Sequence, residues 1–369
     1  MKIVIDGRML YWTGVGRYTQ ALLENLERID SDDEYYVLVR RADWSLWEPT
    51  ASNFHKVEAN IDPYTFAEQF RLTGLIRSLK PDLVHFTAAN TPLFYRGMRV
   101  VTIHDLTLLD FDTSRGEGLA KWVRRLKWLP FRAVISNDAR MATGLISVTN
   151  YVRDELIRRY NITENRITAV MLSADPIMAE PKPVAQYGVG DNYILNLGNA
   201  YPYKNVASTI KAFAKIAPRF KELKLVLVGH TEYFSDQLKL LTTQLGLENR
   251  VIFTGRISDG EVVSMYRGAK FYVNPSLSEG FGLQGLEAMS QGTPVMAANA
   301  TCLPEVYADA AVYFDPVNLD DQAAIMTQLL TDEPLRDKLR ASGHERLKQF
   351  SWARVAQETR DVYERVIKS

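Results

Sequence analysis

The sequence is poor in cysteine and carries no excess of either charge. Its one cysteine, Cys302, excludes an internal disulfide and a cysteine-based zinc cage, and indicates a reducing compartment. Lysine plus arginine and aspartate plus glutamate number 44 each, so no net charge attracts the chain to nucleic acid. No run approaches the roughly 18 to 20 apolar residues that span a bilayer. The start, MKIVIDGRML, lacks the long uncharged core of a secretion signal, so we expect a first strand and a cytoplasmic protein.

Short apolar runs alternate with helical stretches along almost the whole chain. Such β-branched runs are typical of strands buried on both faces of a parallel sheet. A first series comprises KIVID (2–6), DLVHF (82–86), VVTIH (100–104) and GLISV (144–148). A second series comprises YILNLG (193–198), LKLVLVG (223–229), RVIFTG (250–255), KFYVNP (270–275) and TPVMAA (293–298).

The length and the break between the two series predict two domains. A chain of 369 residues exceeds the size of one comfortable core. The segment 176–192 is rich in proline and glycine, and we interpret it as the linker. We predict domains over 1–178 and 179–348, and a helix within 349–369 that packs back towards the first domain. This α/β arrangement would be two Rossmann-like, doubly wound domains that face each other across a ligand-binding cleft.

The most informative stretch covers residues 275–306. It places Glu279 and Glu287 eight positions apart, across a glycine-rich turn that becomes a helix near Gly282. The start of such a helix presents unpaired N–H groups and a positive dipole end, which suits a phosphate. A carboxylate accepts hydrogen bonds from vicinal hydroxyls, so two of them beside an anion site indicate a nucleotide sugar. The alternative for Glu279 is an ordinary helix cap.

The segment SEGFGLQGLEAMSQGTPV resembles the E-x7-E signature of the retaining glycosyltransferases of family 4, which adopt the two-domain GT-B fold. Further segments resemble, in the same order, those of the branch that builds bacterial surface polysaccharides: TGVGRYTQALLENL, VVTIHDL, ISVTNYVRDEL, GNAYPYKN and FSWARVA. The resemblance covers nearly the whole chain. It implies that the second domain binds a nucleotide-sugar donor, that the first binds the acceptor, and that closure excludes water.

The resemblance also implies roles for residues of this stretch. Glu279 would orient the hydroxyls of the donor sugar, and Glu287 would bind the ribose. The backbone amides of Phe281, Gly282 and Leu283 would hold sugar and phosphate.

Lys204 lies in GNAYPYKNV, at the expected start of a helix. A helix dipole disfavours a cation there unless an anion binds, so Lys204 is a candidate to neutralise the diphosphate leaving group, with a solvated lysine as the alternative. Relatives often carry an arginine a few residues earlier, where this chain has Asn199, which we include among the donor-binding candidates. The second phosphate-binding cation stays open among Arg8, Arg17 and Arg256.

Candidates in the first domain lie near predicted strand ends. Gly14 and Gly16 follow the first strand and precede a helix, so their bare backbone can approach a diphosphate, although a turn without a ligand is the alternative. The resemblance implies that His104 contacts the transferred sugar near the reacting carbon, whereas a structural histidine is the alternative. Weaker candidates for the acceptor side are Arg8, Asp105 and His85, the last with a structural role as its alternative.

A metal-dependent GT-A enzyme would need an Asp-x-Asp pair. Asp110 with Asp112, and Asp30 with Asp32, have that spacing, but neither pair has a convincing metal context. We therefore expect no metal ion and no other cofactor.

Residues 115–132, RGEGLAKWVRRLKWLPFR, combine two tryptophans with six basic residues and one acidic one. This composition fits a peripheral contact with the inner face of a cell membrane, or a helix with a solvated basic face.

The resemblance implies a retaining hexosyltransferase that moves mannose from GDP-mannose, the donor often used in that branch, to a carbohydrate or lipid-linked acceptor. We expect front-face displacement, because no residue stands out as a covalent nucleophile. Gln284 stands where relatives usually carry proline, so UDP-glucose and UDP-GlcNAc stay open as donors. A nucleotide-sugar epimerase or a phosphorylase would share the architecture. The alternative from another class is a nucleotide-sugar-binding protein without catalysis.

Overall fold

The structure is a computed structural model that describes residues 1–111, 128–174, 177–229 and 233–368. These residues divide into two compact units. Unit 1 contains the described residues of 1–109, 128–173 and 351–368, and unit 2 contains those of 110–111 and 174–350. Each unit is built on one parallel sheet, which confirms the prediction of two Rossmann-like α/β domains.

The described part of unit 1 holds a sheet of seven strands in the order β3-β2-β1-β4-β5-β6-β7, and every neighbouring pair is parallel. The sheet reverses its direction of growth between β1 and β4, which is the switch point where such folds bind ligands. The strands are β1 (Lys2–Asp6), β2 (Glu34–Val39), β3 (Phe54–Glu58), β4 (Leu83–Phe86), β5 (Arg99–Ile103), β6 (Gly144–Ser147) and β7 (Ile167–Ala169).

Helices connect these strands and cover the sheet. They are α1 (Thr13–Ile29), α2 (Thr73–Leu79), α3 (Thr107–Asp110), α4 (Trp128–Met141) and α5 (Asn150–Tyr160). A π-helical turn, Glu68–Leu72, leads directly into α2. Between helices and sheet lies a core that includes Val4, Val84, Val101 and Leu145, none of which is exposed.

Unit 2 repeats this plan with a six-stranded parallel sheet in the order β10-β9-β8-β11-β12-β13. Its switch point lies between β8 and β11, whose residues Tyr272 and Leu195 pair across the ladder. The strands are β8 (Tyr193–Leu197), β9 (Lys224–Val228), β10 (Val251–Gly255), β11 (Phe271–Asn274), β12 (Val295–Ala298) and β13 (Ala311–Phe314).

The helices of unit 2 connect its successive strands, except for α11 and α12, which follow the last strand. One of them, α8, begins at a capping box in which Ser258 and Glu261 satisfy each other's backbone N–H groups. The helices are α6 (Val206–Ile216), α7 (Tyr233–Gln244), α8 (Asp259–Gly268), α9 (Leu283–Ser290), α10 (Leu303–Tyr307), α11 (Leu319–Thr331) and α12 (Glu333–Leu347).

The last helix, α13 (Trp352–Lys368), belongs to unit 1 although it follows unit 2 in the chain. It packs against α1 and buries Val355, Val362 and Tyr363. The guanidinium of Arg360 lies 2.7 Å from the buried carboxylate of Asp30, beyond the end of α1. The described helices include none that is long and apolar enough to cross a membrane.

Candidate functional site

The loops that follow β8 and β11 meet at the switch point of unit 2. After β8 the chain forms a 3-10 turn, Pro202–Lys204, and then enters α6. After β11 it runs through a turn into α9. The two loops are joined where the N–H of Leu277 donates to the carbonyl of Tyr203 at 2.8 Å. Parallel pairing of two strands thus brings together segments that are far apart in the sequence.

Lys204 and Glu279 form an ion pair at this junction. The lysine Nζ lies 2.6 Å from Oε1 of the carboxylate, and the two side chains are only 15% and 11% exposed. The same oxygen accepts a hydrogen bond from Ser276 Oγ at 2.7 Å. Lys204 ends its 3-10 turn two residues before α6, close to the expected helix start, and it is not the solvated lysine of the alternative interpretation.

The ion pair lines a polar pocket with a volume of about 210 Å³. Asn199 and Gln284 contribute to its walls together with Asn196, Asn274 and Ser276. A second pocket of about 360 Å³ adjoins it and shares Asn196, Gly198 and Asn199. This second pocket is mostly apolar, and its other lining residues include Val206, Val228, Gly229, Leu238, Phe253 and Gly255.

The backbone of Glu279 is held by the loop between β12 and α10. Its N–H donates to Thr301 Oγ1 at 3.2 Å, and its carbonyl accepts from Cys302 Sγ at 3.3 Å. Thr301 holds a left-handed conformation, with φ of 49°, which is uncommon for a β-branched residue. The Cys302 thiol is buried, and burial raises its pKa well above the usual value. No local sequence pattern links Thr301 or Cys302 to Glu279, so their supporting contacts could not be predicted.

Gly282 is the N-cap residue immediately before α9, so the helix starts where it was predicted, and Gly282 has a left-handed conformation with φ of 88°. No described side chain caps this helix start. The carbonyl of Gly282 accepts a hydrogen bond from the Tyr307 hydroxyl at 2.5 Å, and a Cβ atom on Gly282 would lie 2.5 Å from that oxygen. Only glycine fits this position. Phe281 is buried edge-on against Phe350, and Leu283 is the first residue of the helix.

Glu287 lies on the second turn of α9 and is buried. The hydroxyl of Tyr266 lies 3.4 Å from its Oε2 and donates to it. Burial, followed by the charge of Glu287, raises the pKa of Tyr266 well above its usual value, so this hydroxyl keeps its proton. Arg256 follows β10 with an exposed side chain and does not line either of these two pockets.

In unit 1, His104 follows β5 and is half-buried. Its Nε2 lies 2.8 Å from the carbonyl of Thr87, so Nε2 carries the proton and donates, and Nδ1 is the basic atom of the neutral ring. Burial lowers the pKa of His104, although the Thr87 carbonyl and Asp105 oppose this shift. The Tyr18 ring packs edge-on against the imidazole. Asp105 is exposed and accepts from the N–H of Thr107 at the start of α3.

His85, a weaker acceptor-side candidate, has no exposed surface. Its two ring nitrogens lie 2.6 Å from the hydroxyl of Tyr363 and 2.8 Å from that of Thr102. Burial and the neighbouring His104 lower the pKa of His85 to about 3. This placement favours the structural alternative, in which His85 ties α13 to the sheet.

Arg8 is also fully buried. Its guanidinium lies 2.7 Å from the carboxylate of Asp6 and 2.6 Å from that of Glu68, and it donates to the carbonyl of Ile61. The structure therefore places Arg8 in a closed network and not at an open phosphate site. Arg17 lies on the exposed side of α1.

The prediction that Gly14 and Gly16 precede a helix is wrong. Both lie in the first turn of α1, which begins at Thr13. The reason is that the N–H of Gly16 already donates to the carbonyl of Trp12. A Cβ atom on Gly16 would lie 2.3 Å from the carbonyl oxygen of Leu10, so the glycine allows a close approach of the protein's own backbone.

The remaining predictions concern metals and membranes. Among the described residues there is no group of three or more His, Cys, Asp or Glu side chains arranged to hold a metal ion. Asp30 is bound to Tyr35 and Arg360. Asp112 and most of the basic segment 115–132 lie outside the described residues.

Comparisons with known proteins agree with this architecture. Residues 12–172 match the family model described as Glycosyltransferase Family 4, and residues 181–346 match Glycosyl transferases group 1. The chain is 28% identical to O-antigen chain mannosyltransferase B of Escherichia coli, over 98% of this chain and 99% of that protein. It is also 28% identical to the serotype-specific mannosyltransferase WbdA of Escherichia coli, but that alignment spans 64% of this chain and only 29% of the longer relative.

Among solved structures, the chain is similar to the Anabaena protein HepE in complex with UDP-glucose. The TM-score is 0.74 at 17% identity, over 99% of each chain, which shows a common fold. The expected family and GT-B class of fold are therefore confirmed. The chain is a glycosyltransferase of family 4, with a family 4 domain followed by a group 1 domain.

Proposed function

We propose that the enzyme is a retaining mannosyltransferase that uses GDP-mannose and extends a carbohydrate or lipid-linked oligosaccharide. Support for mannose comes from the names of its relatives, which include an O-antigen chain mannosyltransferase that matches nearly the full length of both chains. GDP-mannose follows from the resemblance to the surface-polysaccharide branch. UDP-glucose and UDP-GlcNAc are the alternative donors.

The observation that carries this proposal is the Lys204–Glu279 pair beside the start of α9. Breaking a glycosidic C–O bond leaves growing negative charge on the departing diphosphate, and a fixed cation stabilises that charge. Lys204 supplies the cation at the pocket wall. The first N–H groups of α9, with those of Phe281 and Gly282, supply donors at a positive dipole end.

Glu279 would change partners when the donor binds. In the structure its carboxylate accepts from Lys204 and Ser276. A diphosphate that draws Lys204 towards itself leaves the carboxylate oxygens able to accept from the sugar hydroxyls. Glu287, on the second turn of α9, would accept hydrogen bonds from the ribose hydroxyls. Asn199 would contact the donor where the polar and apolar pockets join.

The apolar pocket is the place for the nucleobase. Phe253, Leu238 and Val228 offer a flat ring the apolar contacts that it needs. Gly229 and Gly255 lie at two strand ends on its wall, where backbone groups can read the edge of the base. This division separates recognition of the base from the chemistry at Lys204.

His104 would act on the sugar from the first domain. Its neutral ring has the proton held on Nε2 by the Thr87 carbonyl, so Nδ1 or the adjoining backbone is the group that meets the sugar near its reacting carbon. The departing phosphate would take the proton of the acceptor hydroxyl in a front-face displacement. Lys204 and the start of α9 would replace a metal ion.

A thermal-shift screen tests the donor assignment. GDP-mannose, GDP-fucose, UDP-glucose, UDP-GlcNAc and UDP-galactose are compared, since a ligand of the native state adds about 2.7 kcal/mol at a hundred times its Kd. We expect GDP-mannose to raise the melting temperature most, and Glu287→Ala to weaken that rise. Glu222→Ala, which removes an exposed carboxylate of the same unit, is the matched control.

Product analysis distinguishes the alternatives. Mannosyl transfer with retained anomeric configuration is the expected result. Stabilisation by a UDP-sugar alone would replace the donor, inversion at the anomeric carbon would overturn the retaining mechanism, and conversion of the donor without an acceptor would identify an epimerase. Donor binding without turnover over many acceptors would favour a binding protein.

A further inference from the structure

The Tyr307 hydroxyl contacts the peptide bond between Gly282 and Leu283, at the start of α9. Tyr307 is the last residue of α10 and has no exposed surface. Its hydroxyl donates to the carbonyl of Gly282 at 2.5 Å, and that carbonyl also accepts from the N–H of Gly285 at 3.1 Å. A Cβ atom on Gly285 would lie 2.3 Å from a carbon of the Tyr307 ring, so the ring packs directly against the first turn of α9. The Gly282 carbonyl is therefore held on the side of this buried ring.

The position of this carbonyl fixes the direction of one backbone N–H group. The carbonyl of Gly282 and the N–H of Leu283 belong to one planar trans peptide unit, so they point in opposite directions. The Leu283 N–H therefore points away from Tyr307. It is among the first N–H groups of α9, which have no acceptor within their own helix. Gly282 has no side chain to restrict this peptide, so the hydrogen bond from Tyr307 is what selects its orientation.

The surroundings of Tyr307 make its hydroxyl a donor towards Gly282. Asn274 Nδ2 lies 3.2 Å from the hydroxyl oxygen and donates to it, so the proton of the hydroxyl goes to the Gly282 carbonyl. Burial raises the pKa of Tyr307 well above its usual value, so the hydroxyl keeps this proton. The Asn274 side chain is fixed in turn, because its Oδ1 accepts from the N–H of Ser276 at 3.3 Å.

The same contacts extend to the Lys204–Glu279 pair. Asn274 and Ser276 are buried, and both line the polar pocket. Ser276 Oγ donates to the Glu279 carboxylate at 2.7 Å, and that carboxylate is the partner of Lys204. One set of hydrogen bonds therefore connects the ion pair in the pocket with the start of α9.

We propose that Tyr307 is a positioning residue for the diphosphate of the donor: its hydroxyl holds the peptide between Gly282 and Leu283 so that the Leu283 N–H is directed at a phosphate. This inference rests on the proposed function, because it needs a nucleoside diphosphate at the start of α9. A donor that is already oriented stabilises negative charge better than one that must first rotate. Tyr307 acts through the backbone and does not line either of the two pockets.

The test measures binding of the diphosphate and of the nucleoside separately. GDP and UDP are titrated into the full chain by calorimetry, and the binding of guanosine and uridine, which we expect to be weak, is followed by ligand-observed NMR. Tyr307→Phe should weaken binding of the diphosphate that the wild type prefers about tenfold, because a hydrogen bond to a charged group loses its preset direction. Binding of the matching nucleoside should change by no more than about twofold, since it carries no phosphate.

Tyr193→Phe is the matched control. Tyr193 is also buried, and its hydroxyl also donates to a backbone carbonyl, that of Met265 at 2.8 Å. A Cβ atom on Gly268 would lie 2.5 Å from this hydroxyl, so Tyr193 packs against a glycine of α8 much as Tyr307 packs against α9. Because Tyr193 lines neither of the two pockets, its variant should bind the diphosphate and the nucleoside as the wild type does.

The outcomes separate this inference from the proposed function. Wild-type diphosphate binding by Tyr307→Phe would overturn the inference alone. Equal weakening of diphosphate and nucleoside would also overturn it, since that result indicates a general structural role. A wild type that binds neither GDP nor UDP would overturn the proposed function and the inference together.

A second variant keeps the test open if Tyr307→Phe does not fold. Gly285→Ala retains the Tyr307 hydroxyl but adds a methyl group where the ring now packs, so the ring must move. We expect the same selective loss of diphosphate binding. A folded Gly285→Ala variant that binds the diphosphate as tightly as the wild type would contradict the role of Tyr307.

Discussion

Each unit places a cation just after a strand at the switch point of its sheet and pairs it with carboxylate, but the two clusters differ in access. In unit 1, Arg8 is sealed between Asp6 and Glu68, and the three side chains are at most 1% exposed. In unit 2, Lys204 pairs with Glu279 on the wall of a pocket, and both side chains keep some exposure. Similar charges at similar topological positions therefore hold the fold together in unit 1 and are accessible to a ligand in unit 2.

Electrostatics explain why the cluster of Arg8, Asp6 and Glu68 does not accept an external anion. Burial disfavours the charged form of Arg8, but Asp6 and Glu68 outweigh burial and raise its pKa. An incoming phosphate would have to displace two carboxylates that are already desolvated. At Lys204 an incoming phosphate competes for a cation whose partner, Glu279, already has a second donor in Ser276.

Removing the cation of the sealed cluster should have the largest effect. Arg8→Met leaves two carboxylates buried without their charge partner, and we expect a loss of about 3 to 5 kcal/mol in the free energy of unfolding of unit 1. Amide hydrogen exchange of β1 and β4, read by mass spectrometry, measures this loss locally.

The exposed pair of Arg41 with Glu58 provides the control. Its side chains are 75% and 45% exposed, so Arg41→Met should change stability by no more than about 1 kcal/mol. If Arg8→Met kept its stability but lost donor or acceptor binding, Arg8 would be a ligand-binding residue and the contrast between the clusters would fail.

Removing the cation of the open cluster should affect turnover more than stability. For Lys204→Ala we expect kcat to fall roughly 100- to 1,000-fold, because a charge that stabilises the leaving group is lost. Steady-state transfer kinetics with the donor found in the thermal screen measure this effect. Lys215→Ala, at the exposed end of α6, should keep wild-type rates. Wild-type turnover by Lys204→Ala would show that another group neutralises the leaving group.

Loosening the support of Glu279 should have the smallest effect. Thr301→Val keeps the shape of the side chain but removes the hydroxyl that accepts from the Glu279 N–H, at a cost of about 1 kcal/mol. We expect kcat to fall about fivefold, and Thr301→Ser to restore most of it. Equal rates for the valine and serine variants would show that this hydrogen bond does not position the carboxylate.

Much of the fold could be predicted because its strands are continuous apolar runs. The nine runs named from the sequence are all strands. Four strands were not predicted, namely β2, β3, β7 and β13, and the sequence explains two of these omissions. β3, FHKVE, is a half-exposed edge strand with a polar composition, and β7 has only three residues. Neither has the apolar pattern on which the prediction depended.

The site could be predicted only in part, because local patterns do not identify partners that are distant in the sequence. The motif resemblance named Lys204 and Glu279 separately, and the structure pairs them across 75 positions. The sequence left Arg8 open as a phosphate-binding cation, because no pattern near it indicates that Glu68, sixty positions later, would pair with it. Thr301 and Cys302 support Glu279 through contacts that only the packed loops create.

The position of α13 in the chain has a consequence for biosynthesis. A ribosome releases residues 174–350 before it releases the helix that carries Tyr363 and Arg360. Unit 2 can therefore fold while unit 1 still lacks the partners of His85 and Asp30. The unit whose synthesis begins first is thus the last to be completed, and a chain interrupted before α13 would combine a finished second unit with an unfinished first one.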